Sequence, residues 1–197
     1  EEKLNEAMKK HAGELVCEDT SVYINCLNGF PGPLIKWVLE SIGHIGLAEL
    51  VLKYKNHSAT AKTIIGYSNG KEIKFFEGIL EGEIVMPKGD IENSDNYAAS
   101  SSEFSNGQFP KRQNIIKEII HRDFGWDKIF KPKGFMENSG NCIIYCPESP
   151  MDISERSDLI NRNIHNKTLG EMSIEEKNKI SMRMQAFVKL KNYLESD

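Results

Sequence analysis

The chain has 197 residues and a net charge of −4, with 25 Lys+Arg against 29 Asp+Glu. That length suits one large domain with a core able to stand without staples. The slight acidic excess argues against a nucleic-acid backbone as partner, because that role selects basic patches, and no apolar run approaches the ~20 residues of a membrane-spanning helix.

The start carries no basic segment followed by an apolar one, so the expected location is cytoplasmic. Cys17, Cys26, Cys142 and Cys146 are expected as free thiols in such a compartment. Cys142-x-x-x-Cys146 has no second Cys/His pair beside it, so it reads as strand residues around Ile143, Ile144 and Tyr145 rather than as a zinc site.

Leu4, Ala7, Met8 and His11 recur at helical spacing and predict a helix over 1–12 that Gly13 stops. Glu14 to Asp19 reads as a short strand, and Ser21 to Leu27 as a second strand or an extended segment. Pro33 suits the first turn of a helix running to about Ser41, with more helical turns over Gly46 to Lys53. Ser58 to Tyr67 reads as a strand, Ser68-Asn69-Gly70-Lys71 as a hairpin turn, and Glu72 to Val85 as a returning strand punctuated by Gly78 and Gly82. The polar stretches at about 88–122 and 136–167 read as surface insertions in one domain covering 1–197, with a short helix over Ile115 to His121. Between them, Phe124 to Phe130 reads as a turn entering a strand. Ser173 with Glu176 three residues on is a capping box for a last helix whose apolar face holds Ile180, Met184, Phe187, Val188 and Leu190.

Four places carry chemistry-bearing residues. Glu18 and Asp19 end an apolar run. Asp19, followed by Thr20, fits a Mg²⁺ ion held by one or two carboxylates plus phosphates, or the orientation of a water for attack on phosphorus. Adjacent strand residues face opposite sides, so one of the two is expected at any given site, and the pair also reads as a solvated strand end. Lys36 opens a helix whose N-terminal dipole favours phosphate, or is a surface lysine beside Trp37. Phe124-Gly125-Trp126-Asp127 joins aromatics able to stack a base to an acid able to accept from one, or holds two core aromatics and a strand-end acid. Lys177 and Ser181 lie four apart on one helix face with Arg183 a little round it, a phosphate- and carbonyl-binding set or an exposed charged face.

In order, the chain reads Glu18-Asp19-Thr20, Gly29-x-Pro31-Gly32-Pro33-x-Ile35-Lys36-Trp37, Phe76-x-Gly78-x-x-x-Gly82-x-Ile84-Val85, Pro87-x-Gly89, Phe124-Gly125-Trp126-Asp127-x-x-Phe130 and Met172-Ser173-x-Glu175-Glu176-Lys177-Asn178-x-x-Ser181-x-Arg183. This series resembles the inosine triphosphate pyrophosphatase (Ham1-like) family over nearly the whole chain outside the two insertions. The resemblance implies an α/β, two-lobed fold around a long, curved mixed sheet with flanking helices. It also implies Mg²⁺-dependent hydrolysis, with Mn²⁺ as substitute, of ITP, dITP and XTP to the monophosphate and pyrophosphate, carried out by a homodimer. By resemblance Asp19 serves the metal and the attacking water, Glu18 is a second metal candidate, and Thr20 lies beside the substrate. Lys3, Lys36 and Lys177 match substrate-binding lysines. Phe124, Gly125, Trp126 and Asp127 match the segment around the base, with Phe124 stacking. Ser181, Met182 and Arg183 match the segment in which the arginine reads the 6-keto oxygen.

Two departures follow. Family members usually have Ser-His-Arg where this chain has Ser181-Met182-Arg183, and methionine brings no hydrogen-bond donor. The family also opens with a strand, a phosphate-gripping loop and a metal-binding glutamate that have no counterpart in this sequence. The expected fold therefore lacks its N-terminal strand. The alternative reading is a catalytically impaired nucleotide-binding or dimerisation module. A Nudix-type hydrolase is disfavoured, because no Arg-Glu-x-x-Glu-Glu helix is present.

Overall fold

The computed structural model describes residues 1–88, 124–133 and 167–196. Its centre is a five-stranded sheet built from β1 (Leu15–Ile24), β2 (Pro31–Gly32), β3 (Ser58–Ser68), β4 (Ile73–Ile84) and β5 (Phe130–Pro132), in the order β2-β1-β3-β4-β5. The α/β class is as expected, and every pairing among the described strands is antiparallel. The two inferred insertions and the helix over 115–121 lie almost wholly outside the described residues, as do Cys142 and Cys146. Cys17 and Cys26 are free thiols. No helix among the described residues is long and apolar enough to cross a membrane.

β1 differs from expectation. It is one ten-residue strand, paired to β3 along its whole length, rather than two pieces parted at Thr20. The reason is a cross-strand pair: Thr20 Oγ1 lies 3.1 Å from Thr63 Oγ1, so the polar dipeptide continues the ladder instead of turning the chain. The β3–β4 hairpin turns where expected. Gly70 adopts φ +85°, and Asn69 Oδ1 accepts from the Lys71 and Glu72 amides at 2.9 and 3.0 Å.

Helix α1 (Glu2–Lys10) lies on one face of the sheet and seats Leu4 beside Gly66. Helix α2 (Ile35–Leu52) joins the two helical segments foreseen in sequence, with a break at Gly43 where φ is +68°. The last helix is two helices, α3 (Ile174–Ile180) and α4 (Met182–Ser196), because Ser181 is extended (φ −62°, ψ 140°). Ser181 Oγ accepts from the Met184 amide at 3.2 Å, so this serine caps α4 rather than continuing the face of Lys177.

α4 packs on the sheet face opposite α1. Ile65 and Tyr67 of β3 meet Ala186, Phe187 and Leu190 there. The larger core joins Val22, Ile24, Leu39, Leu47, Leu80, Ile84, Trp126, Phe130 and Met182. Burying each Leu, Ile or Phe stabilises by ~1.5–3 kcal/mol. α4 also covers the edge of β4 beyond the short β5. Gln185 Oε1 accepts from the Ile79 amide at 3.2 Å, and Lys189 Nζ donates to the Glu77 carbonyl at 2.7 Å. Gly78 makes this approach possible, since a Cβ there would fall 1.8 Å from the Met182 carbonyl oxygen. The glycines that punctuate β4 are thus packing requirements and leave the strand unbroken.

Candidate functional site

The alternation of β1 sets the geometry. Glu18, Thr20, Val22 and Ile24 pair with Ile65, Thr63, Ala61 and Ala59 and look toward α4. Asp19 pairs with Ile64 and looks toward α1. The structure therefore brings together one large group of the sequence-inferred residues and leaves a smaller one apart.

On the α4 side, Arg183 Nε donates to Glu18 Oε1 at 2.6 Å, with side chains 7% and 17% exposed. The Thr20 hydroxyl donates to the same oxygen at 3.4 Å and is itself held by Thr63. The Arg183 guanidinium carbon lies 4.1 Å from the ring centroid of Phe124, a cation–π contact. Phe124 is also stacked on Trp126, with centroids 5.0 Å apart and planes within 7°. The aromatic pair is therefore not two open rings but a layer with Trp126 in the core and the guanidinium on Phe124.

Lys177 sits below this layer. Its ammonium donates to Asp127 Oδ2 and lies 5.9 Å from the Phe124 centroid, with the lysine side chain 10% and the aspartate 2% exposed. Asp127 Oδ2 also accepts from the Phe124 amide at 2.8 Å, closing the turn over Gly125 and Trp126. Two capping boxes aim Lys177 there: Thr168 with Glu171, and Ser173 with Glu176. The amides of Thr168 and Ser173, first among several donors, hold the Glu171 and Glu176 carboxyls below the usual carboxylate range. Lys167 adds an ion pair to Glu176 at 3.0 Å.

On the α1 side, Lys3 donates to Asp19, both more than half solvated or nearly so at 66% and 50% exposure. Lys36 lies on the exposed first turn of α2, 3.8 Å from Glu40 one turn further on. Met182 is fully buried in the core, so its side chain lines the back of the site and not its mouth.

Sequence reasoning missed Thr63, which braces Thr20, and Gln185, which ties the α3–α4 corner to β4 and also donates to the Ile180 carbonyl at 3.1 Å. Thr63 carried no signal. Gln185 did, as a polar residue inside the apolar run Met184 to Val188.

Among the described residues no three His, Cys, Asp or Glu side chains converge into a metal-binding cluster. A half-exposed carboxylate such as Asp19 still fits Mg²⁺ held by one protein oxygen and completed by phosphate and water. Chemically, the arrangement offers a planar cation fixed against an aromatic layer, a buried lysine beside it, and an accessible carboxylate across the strand.

A family model described as the Ham1 family matches residues 1–94 and 159–193. The chain is 31% identical over 198 aligned positions to the inosine triphosphate pyrophosphatase of Schizosaccharomyces pombe, covering 100% of this chain and 73% of that protein. It is 30% identical over 194 positions to the inosine triphosphate pyrophosphatase of Candida albicans, covering 98% of this chain and 66% of that one. The chain thus spans 66–73% of the length of these two relatives. Among solved structures, the nucleoside-triphosphatase / dITP/XTP pyrophosphatase from Mycobacterium abscessus superposes with a TM-score of 0.52 at 19% identity, covering 95% of this chain and 69% of that one. That likeness speaks to the fold alone.

Proposed function

Since this chain belongs to the Ham1 family, we propose that it hydrolyses inosine-type purine nucleoside triphosphates (ITP, dITP and XTP) to the monophosphate and pyrophosphate. One observation carries the reading: the guanidinium of Arg183 lies over the Phe124 ring, 4.1 Å from its centroid, beside the buried Lys177. Such a layer suits a base with a carbonyl at position 6. Against adenine the same donors face an amino group and go unmatched, which penalises the wrong base more than an extra contact rewards the right one.

The residues divide the work. The base meets this layer at the edge of the Arg183 guanidinium, because Trp126 and the guanidinium cover the two faces of Phe124, and the turn through Gly125 holds the layer in place. Ser181 and Met182 place Arg183, the serine by capping α4 and the methionine by packing in the core. Lys36 and Lys3 supply positive charge to the phosphates, while Lys177, buried against Asp127, and Thr20, held by Glu18 and Thr63, serve the base side of the substrate. Asp19 orients the water whose oxygen attacks the α-phosphorus, and the α–β anhydride bond breaks to release pyrophosphate. Bound Mg²⁺, with Mn²⁺ as substitute, would neutralise the polyphosphate at Asp19. A homodimer belongs to the same proposal. Phe30, Leu34 and Trp37 leave large apolar side chains exposed around the start of α2, which supports it.

The test is pyrophosphate release from ITP, XTP and ATP with Mg²⁺, with light scattering for the dimer. We expect IMP and pyrophosphate in equal amounts and a clear preference for ITP over ATP. Asp19→Asn should lower kcat by roughly 10²–10⁴-fold. Binding of ITP with no release of pyrophosphate would instead identify a nucleotide-binding module.

A further inference from the structure

We infer that Glu18 is a positioning residue for base selection, and not a ligand of the metal. The inference rests on the proposed reading that Arg183 faces the base. Two contacts at different angles fix the guanidinium: Glu18 Oε1 takes Nε at 2.6 Å, and the Phe124 ring lies 4.1 Å from the guanidinium carbon. A planar cation held both at its edge and on its face has its plane, and so the direction of its donors, set. Glu18 is itself held, because the Thr20 hydroxyl donates to the same oxygen at 3.4 Å and Thr20 is braced by Thr63 at 3.1 Å. A four-residue chain therefore runs from β3 through β1 to Arg183.

Metal ligation by Glu18 conflicts with this arrangement. Mg²⁺ sits ~2 Å from a ligating oxygen. A dication on the Oε1 that Arg183 takes would therefore lie within about 5 Å of Nε, and one on the other oxygen within about 7 Å, in each case beside a guanidinium that is almost fully buried, in surroundings where like charges repel strongly. Asp19 looks out of the opposite face of β1, half solvated, and the cation on it, Lys3, is solvated and able to move aside. The adjacent acids thus divide two tasks by strand alternation: Asp19 serves phosphate chemistry and Glu18 aims the base reader.

The experiment compares wild type with Glu18→Gln and Glu18→Asp. Glu18→Asp keeps the charge that compensates Arg183, so it remains folded even if the glutamine variant does not. Its carboxylate is drawn back by one methylene. kcat/KM is measured for ITP and for ATP, and Mn²⁺ binding is read by electron paramagnetic resonance with IMP and pyrophosphate present. The expected result is a fall of about tenfold in the ITP/ATP ratio in both variants, lying mainly in KM for ITP. The Mn²⁺ midpoint should stay within about twofold of wild type. General damage to the fold would instead lower both substrates together and leave the ratio unchanged. An unchanged ratio in Glu18→Asp overturns the inference. So does a tenfold weaker Mn²⁺ midpoint in Glu18→Gln with the ratio intact, which would make Glu18 a metal ligand. A wild type that neither binds nor turns over ITP removes the functional reading and this role with it. An active wild type with unaltered variants removes the role alone.

Discussion

Glu18 and Asp19 are neighbours in sequence with opposite surroundings. Glu18 looks toward α4 into a layer of Arg183, Phe124 and Trp126, and its ion pair is almost dry. Asp19 looks toward α1, and its ion pair with Lys3 stands in water. The two faces of β1 hold the same kinds of charge at very different energetic weight. A buried pair is costly to break, because the surviving partner keeps its desolvation cost without its counter-charge. A solvated pair trades water for a neighbour with little net gain. The α4 face therefore suits fixed, oriented recognition, and the α1 face suits groups that must exchange partners with a substrate.

The largest expected effect tests the dry face. Asp127→Ala leaves Lys177 buried without its carboxylate and removes the acceptor that closes the turn at Phe124. We expect a loss of ~3–5 kcal/mol in unfolding free energy, measured by urea denaturation. A loss under ~1 kcal/mol would show that this face is wet in solution and would erase the contrast with Lys3–Asp19.

The next effect concerns the corner that carries Arg183. A methyl group at Gly78 would meet the backbone oxygen of Met182, which has no rotamer by which to yield. Gly78→Ala should therefore cost ~3 kcal/mol, the upper end of ordinary overpacking. It should also push the start of α4 off β4, so that exchange of the Ile79 amide with deuterium speeds up as its bond to Gln185 opens. Normal stability with an unchanged Ile79 exchange rate would mean that α4 does not press on this edge.

How much of this was legible in the sequence differs between the same two faces. On the α4 side, the segment from Phe124 to Asp127 and the segment from Lys177 to Arg183, both singled out by motif order, meet in space. Period and capping signals found the helices, and the Asn69-Gly70 turn found the hairpin. Two things stayed hidden, for one reason. That Thr20 continues a strand, and that Ser181 breaks a helix, both depend on a partner far along the chain or on a local cap competing with propensity. The alternation of β1 was foreseen, but which acid meets which base was not, since that is decided by α1 and α4 packing on opposite faces.

The smallest expected effect tests the wet face. Lys3→Met removes the ammonium from Asp19 while keeping an unbranched apolar stem on α1, so the helix and its anchor Leu4 stay in place. Solvated pairs of this kind contribute ~0–1 kcal/mol, so the unfolding midpoint should hardly move. The pair should also weaken with salt in the wild type, since solvated charges are screened over ~10 Å at 0.1 M. Wild type and Lys3→Met should therefore converge in stability as salt rises. A loss above ~2 kcal/mol, or one that persists at 1 M salt, would mean that Lys3 and Asp19 form a desolvated anchor like the one across the strand. The proposed exchange of Asp19 between lysine and substrate would then have to begin from a much deeper well than the structure implies.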